Sequence, residues 1–154
     1  MAKNIGKIFE EEIKASFPPD FFVERYKDDT AGFKGVCNPA DFRIYKYPLT
    51  FLIECKSHKG KSLPFDKIRR DQIEKLVEDS LNFTGVYGGF LINYRDLEET
   101  YYICAGAVLT YINHAERKSI PVEWCKENGI KVEQRKKRVR YSYDIAKLME
   151  GFYG

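Results

Sequence analysis

Long apolar runs are missing from this sequence. No apolar stretch in its 154 residues approaches the length of about 18 that a membrane-spanning helix needs. The opening residues, MAKNIGKIFEEEIK, also lack the apolar core of a secretory signal peptide. The sequence therefore predicts a cytoplasmic protein that has no membrane partner.

Metal-binding motifs built on cysteine or histidine are missing too. The four cysteines are far apart in the sequence: Cys37, Cys55, Cys104 and Cys125. A zinc knuckle needs pairs of ligands a few residues apart, so this class of site is disfavoured. His58 and His114 are equally isolated, which disfavours a nuclease that holds its metal through histidines. We expect the cysteines to be reduced thiols in the core or on the surface.

Internal repeats, low-complexity stretches and linkers are absent as well. The hydrophobic fraction of 44% is typical of a folded globular protein. A chain of this length can bury a sizeable core without being divided into smaller units. We therefore expect one domain that spans residues 1–154.

Excess charge of one sign is small, because the formal net charge is only +3. The basic residues are nevertheless clustered in two stretches, KSHKGK with its following helix start and KVEQRKKRVRY. The members that we expect to contact a polyanion are Lys59, Lys61, Arg69, Arg70, Arg135, Lys136, Lys137 and Arg138. Such patches are expected for a polyanion partner, although a solvated charged face has the same composition.

The apolar periodicity predicts alternating helices and strands. Helices are expected over 4–17, from an Asp66 cap to about Leu81, and over 107–118, 121–129 and 143–152. Strands are expected over 21–26, 86–95 and 100–106, and two strands joined near Tyr47-Pro48 over 40–56. For the basic stretch, a strand and a mobile arm remain alternatives. The resulting α-β-β-β-α-β-β-α order predicts an α/β fold with a mixed central sheet flanked by helices.

Two charges end an otherwise apolar strand in LTFLIECK. Glu54 and Lys56 lie two residues apart, so both side chains point to the same face of the strand. Burying charges there is costly unless they are paired or bind something. A cross-strand salt bridge on a half-exposed sheet would explain Glu54 and Lys56 by themselves.

A hairpin would bring a second carboxylate to the same place. If the turn at Tyr47-Pro48 has two residues, Asp41 lies directly opposite Glu54. If the turn is one residue later, Asp41 lies opposite Lys56, and all three side chains still share a face. Two carboxylates can bind Mg²⁺ or Mn²⁺. A lysine beside them can stabilise the negative charge that develops on a phosphate in the transition state of its hydrolysis.

These residues resemble the core of PD-(D/E)XK nucleases, a restriction-endonuclease-like fold. Asp41 follows a proline at position 39, and Glu54-Cys55-Lys56 supplies the E-x-K element. The sequence resembles RecU-type Holliday junction resolvases more specifically. NIGKIFEEEI is similar to their opening helix, ECKSHKGKSLPF to their E-x-K strand and basic loop, and DQIEKL to the helix that follows. The similar motifs cover about residues 4–81.

The resemblance implies a Mg²⁺- or Mn²⁺-dependent homodimer that cuts branched DNA, such as a four-way junction, during recombination and repair. It implies that Asp41 and Glu54 are metal ligands and that Lys56 is the catalytic lysine. It also implies that Glu10 is an additional acid at the metal and that Gln72 supports the site from the next helix. From the residues alone, Glu10 is equally an exposed helix glutamate, and Gln72 is a polar flank of an apolar stripe.

One departure from the resemblance concerns substrate choice. RecU-type proteins carry a long stalk before the catalytic aspartate, and here only KDDTAGFKGVCN precedes Pro39. The stalk is therefore expected to be short or missing, as in a phage-like version, with Asp29 the candidate for a further acid. The alternatives are a PD-(D/E)XK nuclease of other specificity, flap-directed or restriction-like, and a non-catalytic DNA-binding module on the same fold.

Overall fold

The computed structural model describes residues 4–26 and 38–153, and within these it has five α-helices and ten strands. The helices are α1 (Ile5–Ser16), α2 (Arg70–Asn82), α3 (Ala105–His114), α4 (Val122–Asn128) and α5 (Ile145–Tyr153). The first strands are β1 (Phe22–Arg25), β2 (Phe42–Lys46), β3 (Leu49–His58), β4 (Ser62–Pro64) and β5 (Val86–Tyr94). The remaining strands are β6 (Glu99–Cys104), β7 (Ser119–Pro121), β8 (Ile130–Lys131), β9 (Gln134–Lys137) and β10 (Arg140–Tyr143).

Six strands form the central sheet in the order β1-β2-β3-β5-β6-β8. The pair β3–β5 is parallel, and helix α2 makes the crossover between its strands. The other neighbours in this sheet are antiparallel. Two short ribbons, β4–β7 and β9–β10, lie outside it. The prediction of a mixed central sheet flanked by helices is confirmed.

The sheet has a separate apolar core on each face. Helices α2, α3 and α4 cover one face, where Leu52 of β3 packs with Ile73 and Leu76. Helices α1 and α5 cover the other, where Phe51 and Ile53 of the same strand are fully buried. Alternation along β3 therefore serves both cores, which explains why the strand is apolar at successive positions.

Helix α1 begins and ends as its sequence predicts. The side chain of Asn4 caps the helix by accepting a 2.6 Å hydrogen bond from the Gly6 N–H. Phe9 and Ile13, four residues apart, are fully buried beneath it. Phe17 is extended, as expected for a residue that precedes a proline, and it ends the helix.

The turn between β2 and β3 sets the register of the site. Lys46 pairs with Leu49 across the two-residue turn at Tyr47-Pro48, and the ladder continues to Phe42 opposite Ile53. The next pair along this register is Asp41 and Glu54. The two-residue turn is therefore confirmed, and with it the placement of the two acids.

The predicted start of the second helix is wrong. Asp66 lies in a short 3-10 turn, Phe65–Lys67, and α2 begins only at Arg70. Ile68, between the two, is extended and buried in the core of the α2 face. The chain leaves helical geometry there because a buried extended residue joins the turn to the helix.

Both ends of α3 also differ from the prediction. The helix takes in Ala105 and Gly106, for which the sequence predicts strand, and it ends four residues early. Gly129 ends α4, as predicted, and its backbone is extended there. A side chain there would come within 2.8 Å of the Tyr102 carbonyl and 2.9 Å of the Cys125 carbonyl. Glycine is therefore required at this position by close packing.

The basic stretch forms an ordered antiparallel hairpin, β9–β10, which we call the basic ribbon (residues 134–143). Lys137 pairs with Arg140 across a turn in which Arg138 has left-handed backbone (φ 56°). Of the two sequence alternatives, the strand is therefore the one found. Ribbon β4–β7, which joins segments far apart in the sequence, has no sequence signal beyond its two serine-to-proline triplets.

Two expectations made from absences concern the described part of the chain. Among residues 4–26 and 38–153, no helix is long and apolar enough to cross a membrane. Within the same ranges, Cys55, Cys104 and Cys125 are free thiols, as predicted. Cys37 and Asp29 lie outside the described residues, as does most of the short segment expected in place of the stalk.

Candidate active site

Two elements bring the predicted acids and lysine together. Glu54 and Lys56 project from β3 on the face of Leu52, which is the face that α2 covers. Asp41 lies one residue before β2, opposite Glu54. Its backbone N–H donates to the Ile53 carbonyl at 3.1 Å, and its Oδ2 accepts a 2.8 Å hydrogen bond from the Cys55 N–H. The hairpin therefore fixes both the backbone and the carboxylate of Asp41.

Glu54 is the centre of the arrangement. Only 6% of this residue is exposed, so its carboxylate needs partners. Lys56 Nζ lies 3.1 Å from its Oε2, and Gln72 Nε2 lies 3.4 Å from its Oε1. Asp41 also shares a side-chain hydrogen bond with it. Three side chains, one preceding β2, one from β3 and one from α2, thus meet at one buried carboxylate.

The pKa of Asp41 is raised to about 7. Burial is the largest cause and the negative charge of Glu54 is the next, while the Cys55 N–H and the Lys56 charge act in the opposite direction. Two carboxylates this close disfavour a state in which both are ionised. Near neutral pH the pair therefore shares a proton, and a cation between the two would replace that proton.

The donor set suits a divalent metal ion. Carboxylate oxygens are the ligands that Mg²⁺ and Mn²⁺ prefer, and a cation would relieve the repulsion between the Asp41 and Glu54 charges. In the described ranges, 4–26 and 38–153, no three or more His, Cys, Asp or Glu side chains cluster closely enough to hold a metal by themselves. Asp41 and Glu54 would therefore supply two ligands, with water or DNA oxygens completing the shell. Such partial ligation is usual for Mg²⁺.

Gln72 supports Glu54 from the first turns of α2. Besides its contact with the Glu54 carboxylate, its Nε2 lies 3.4 Å from the backbone carbonyl of Asn38. It therefore links the helix to the segment that leads into Asp41. Its buried position agrees better with a supporting role than with a polar flank exposed to solvent.

Glu10 lies beside the pair but outside it. Arg25 of β1 holds its carboxylate, with Nη2 and Nε at 2.9 and 3.1 Å from Oε1. Burial raises the pKa of Glu10, and the charge of Asp41 raises it further. Glu10 is thus a part-buried acid paired with Arg25 rather than an exposed helix glutamate. Its role as a third metal ligand stays a prediction.

The predicted DNA-binding residues fall into two groups. Lys59 and Lys61 are exposed in the turn that follows β3, and Arg69 and Arg70 lie at the start of α2, near Gln72. Arg69 contacts Asp71, and Arg70 contacts Glu74. The second group, Arg135 to Arg138, is exposed on the basic ribbon, which packs with α1 on the opposite face of the sheet.

Sequence reasoning missed a buried acid on α1. Glu12 is 4% exposed and accepts a bidentate pair of hydrogen bonds from Arg95, at 2.7 and 3.0 Å. It also accepts from the Tyr143 hydroxyl and the Tyr141 N–H of the basic ribbon. Its hydrogen bonds raise the pKa of Arg95. One signal was available, because Glu12 stands three residues after Phe9 in the buried stripe of α1.

Comparison with known proteins agrees with this geometry. The sequence model of the RecU family, described as Recombination protein U, matches residues 44–147. This stretch contains Glu54, Lys56 and Gln72, and it begins after Asp41. The SPbeta prophage-derived uncharacterized protein YotM of Bacillus subtilis (strain 168) is 32% identical, over 96% of this chain and 86% of its own.

A solved structure has the same fold. Hjc, a Holliday junction resolvase from the archaeal hyperthermophile Archaeoglobus fulgidus, superposes with a TM-score of 0.56 at 16% identity. The superposition covers 81% of this chain and 93% of that one. At this identity the likeness concerns the fold.

The αβββαβ core, with Asp41 and Glu54 at its β2–β3 hairpin, has the fold of this resolvase. By sequence, the chain belongs to the RecU family. The family match extends into the C-terminal half, where the sequence motifs indicated only a general α/β pattern.

We predict that Asp41→Asn stabilises the protein at neutral pH in the presence of EDTA. The pKa of Asp41 is raised in the folded state, so between about pH 4 and 7 the folded state binds more protons than the unfolded state, and stability falls as pH rises. Asparagine keeps an acceptor for the Cys55 N–H and removes this cost, which is on the order of 2–4 kcal/mol. Urea unfolding at pH 4, 6 and 8 measures the difference.

The matched control is Asp96→Asn, which neutralises an exposed aspartate in the turn before β6. Its stability relative to the native protein is expected to change little with pH. A difference between Asp41→Asn and the native protein that is constant from pH 4 to 8, or that favours the native protein at pH 8, would contradict the proposed proton sharing.

Proposed function

We propose that this protein is a divalent-metal-dependent endonuclease that hydrolyses phosphodiester bonds in branched DNA, four-way junctions among them, in recombination and repair. The observation that carries the proposal is the pair of facing carboxylates Asp41 and Glu54, in which burial and the charge of Glu54 raise the pKa of Asp41. Lys56 Nζ lies 3.1 Å from the Glu54 carboxylate. Attack on a phosphate needs carboxylates to hold the metal ion and a lysine to stabilise the charge that develops.

The residues of the site have separate tasks in this proposal. Asp41 and Glu54 would hold Mg²⁺ or Mn²⁺, whose positive charge would stabilise the negative charge that develops on the phosphate. Lys56, the proposed catalytic lysine, would stabilise the same negative charge. Gln72 would keep the Glu54 carboxylate in place, and Glu10 would act as a further acid next to Asp41.

Substrate and assembly are proposed from the relatives. RecU is described as a recombination protein, and Hjc is a Holliday junction resolvase. A four-way junction has two equivalent strands to cut, which suits a homodimer with two sites. The protein is proposed to act in the cytoplasm, where the DNA of a bacterium or its phage is found.

A second candidate is a nuclease of the same fold with a different DNA preference. The short segment between β1 and Pro39 favours keeping this alternative, because it replaces a longer element implied by the resemblance. A non-catalytic DNA-binding module is disfavoured, since Asp41, Glu54 and Lys56 are all present and in contact. Purified protein assayed on a junction, a flap and a linear duplex, with Mg²⁺ or with EDTA, separates the three.

We predict that Asp41→Asn and Glu54→Gln each abolish Mg²⁺-dependent cleavage of the preferred DNA. Each change keeps the shape of the side chain and removes one charge from the proposed metal site. The rate of cleavage is expected to fall by about 10³-fold or more, equivalent to several kcal/mol of transition-state stabilisation. Single-turnover cleavage at saturating protein measures it.

Two comparisons make this result specific. Lys56→Ala should retain DNA binding and lose turnover, since its task is at the transition state. Glu127→Gln, which neutralises an exposed glutamate on α4, should cut at the native rate. Near-native cleavage by Asp41→Asn or Glu54→Gln would show that the site has been misassigned.

We predict that the basic ribbon contacts the DNA backbone rather than the bases. Arg135, Lys136, Lys137 and Arg138 are all exposed, and phosphate contacts carry little sequence information. Changing the four to glutamine should weaken binding equally for unrelated sequences. It should also flatten the slope of log K against log salt by roughly three to four units. Fluorescence anisotropy across a salt series measures both.

A charge-matched control is available elsewhere on the surface. Glutamine at Lys14, Arg117, Lys126 and Lys147 removes the same charge from exposed sites outside the ribbon. This control should change the slope much less. If the salt titration of the ribbon variant overlays that of the native protein and its aggregation rises, the charges serve to protect an edge strand instead.

A further inference from the structure

The basic ribbon is fastened to α1 through a buried carboxylate. Glu12 accepts hydrogen bonds from Tyr141 N–H at 2.9 Å and from the Tyr143 hydroxyl at 3.1 Å. Its other contacts come from Arg95, whose guanidinium lies 5.0 Å from the centre of the Tyr141 ring. Ser16 adds a further link, since its Oγ accepts from the Tyr143 N–H. The base of the ribbon is therefore fixed by several directional contacts to one helix.

A second buried polar connection joins the ribbon to the sheet. Ser57 Oγ donates to Asn93 Oδ1 at 2.6 Å, Asn93 Nδ2 donates to Thr100 Oγ1 at 2.9 Å, and Thr100 Oγ1 donates to Gln134 Oε1 at 2.7 Å. Asn93 and Thr100 are fully buried. A continuous buried chain of this kind allows little relative movement, because any break leaves a polar group without a partner.

Both connections involve elements that also carry residues of the candidate active site. Glu12 is two residues after Glu10 on α1, and Ser57 directly follows Lys56 on β3. The elements that carry the catalytic groups thus also carry the supports of the ribbon. A displacement of the ribbon relative to the site requires breaking buried hydrogen bonds at one of these two positions.

The ribbon has cations on both faces. Side chains alternate along β9, so Arg135 and Lys137 lie on one face and Lys136 on the other. Lys136 and Arg138 border a recess shared with Arg95 and Tyr141, whereas Arg135 and Lys137 border a different one. Lys136 pairs with Tyr141 on the face that packs against α1, and its Nζ lies 5.9 Å from the centre of the Tyr141 ring. Arg135 and Lys137 are therefore the cations of the outer face, which can lie along the phosphates of a duplex.

We propose that the basic ribbon lies on the phosphates of the duplex arm next to the cut and that Glu12 is the positioning residue that fixes its distance from the active site. The inference rests on the proposed function, because the distance between the ribbon and the active site would select the phosphate that is cut. The ribbon would hold the arm, and Asp41, Glu54 and Lys56 would then face one phosphate rather than several. Glu12 itself touches neither DNA nor the reacting atoms.

The test places a chemical probe at the tip of the ribbon. Val139, 81% exposed in its turn, is changed to cysteine in a chain carrying Cys37→Ser and Cys104→Ser, and an iron chelate is attached to it. With ascorbate and peroxide, the chelate cuts nearby DNA without the active site. A four-way junction with one end-labelled strand reports these cuts on a sequencing gel, in an Asp41→Asn background. The same junction reports hydrolysis by the chain with Asp41 intact.

With Glu12 intact, the chelate cuts are expected in one cluster, in a single duplex arm, at a constant offset from the hydrolysed phosphate. In Glu12→Gln, both patterns should spread over neighbouring positions. The hydrolysis rate at the original phosphate should then fall by roughly 10- to 100-fold, because misplacement by about 1 Å is enough for such a loss. Arg95→Lys keeps a cation at the Glu12 carboxylate but loses the bidentate pair of hydrogen bonds. It should show the same change to a smaller degree. It also replaces Glu12→Gln as the test if that variant does not fold.

Several results would overturn the inference. One is that neither the chelate cuts nor the hydrolysis sites spread in Glu12→Gln, and that the loss of rate equals the unfolded fraction seen in a thermal melt. Another is the absence of chelate cuts from the duplex arms with Glu12 intact. Failure of the proposed function looks different. In that case the chelate cuts would show the expected cluster and its spread, while no hydrolysis occurred with Mg²⁺ on any DNA.

Discussion

Asp41 and Glu54 repel each other, and much of the fold serves to hold them together. The β2–β3 turn sets their register, the Cys55 N–H fixes the Asp41 carboxylate, and Lys56 and Gln72 hold that of Glu54. Apolar cores on both faces of β3 keep water away, which increases the repulsion and raises the pKa of Asp41. The protein therefore keeps an acid pair that costs stability and that a cation would relieve. Such a cost is expected at a functional site rather than in a structural salt bridge.

The position of this pair could be predicted from sequence because strand periodicity and turn length are local properties. Glu54 and Lys56 share a face by alternation, and the turn at Tyr47-Pro48 places Asp41 opposite Glu54. Gln72 was expected at the site from the resemblance, because its place in the sequence also fits a polar flank of the apolar stripe of α2. Five strands of the central sheet follow from the same alternation and from the order of helices and strands, whereas β8 was not predicted.

Other features depend on contacts between distant residues and carry weak local signals. Glu12 looks like one more glutamate in EEE until Arg95, Tyr141 and Tyr143 surround it. Asp66 is a good cap by residue type, yet the burial of Ile68 delays the helix. Gly129 ends its helix for a reason that only the neighbouring strand reveals. Each of these is decided by tertiary packing, which overrides local preference.

The central feature of the site is the acid pair of Asp41 and Glu54, whose shared proton a cation would replace. Isothermal titration calorimetry of Mn²⁺ into the protein, in two buffers of different ionisation enthalpy, counts the protons released on binding. At pH 6 the account predicts release of about one proton per ion, falling toward none at pH 8.5 as the pair loses its proton unaided. Asp41→Asn should lose both the binding and the release. Binding that Asp41→Asn leaves unchanged, or a proton count equal at the two pH values, would contradict it.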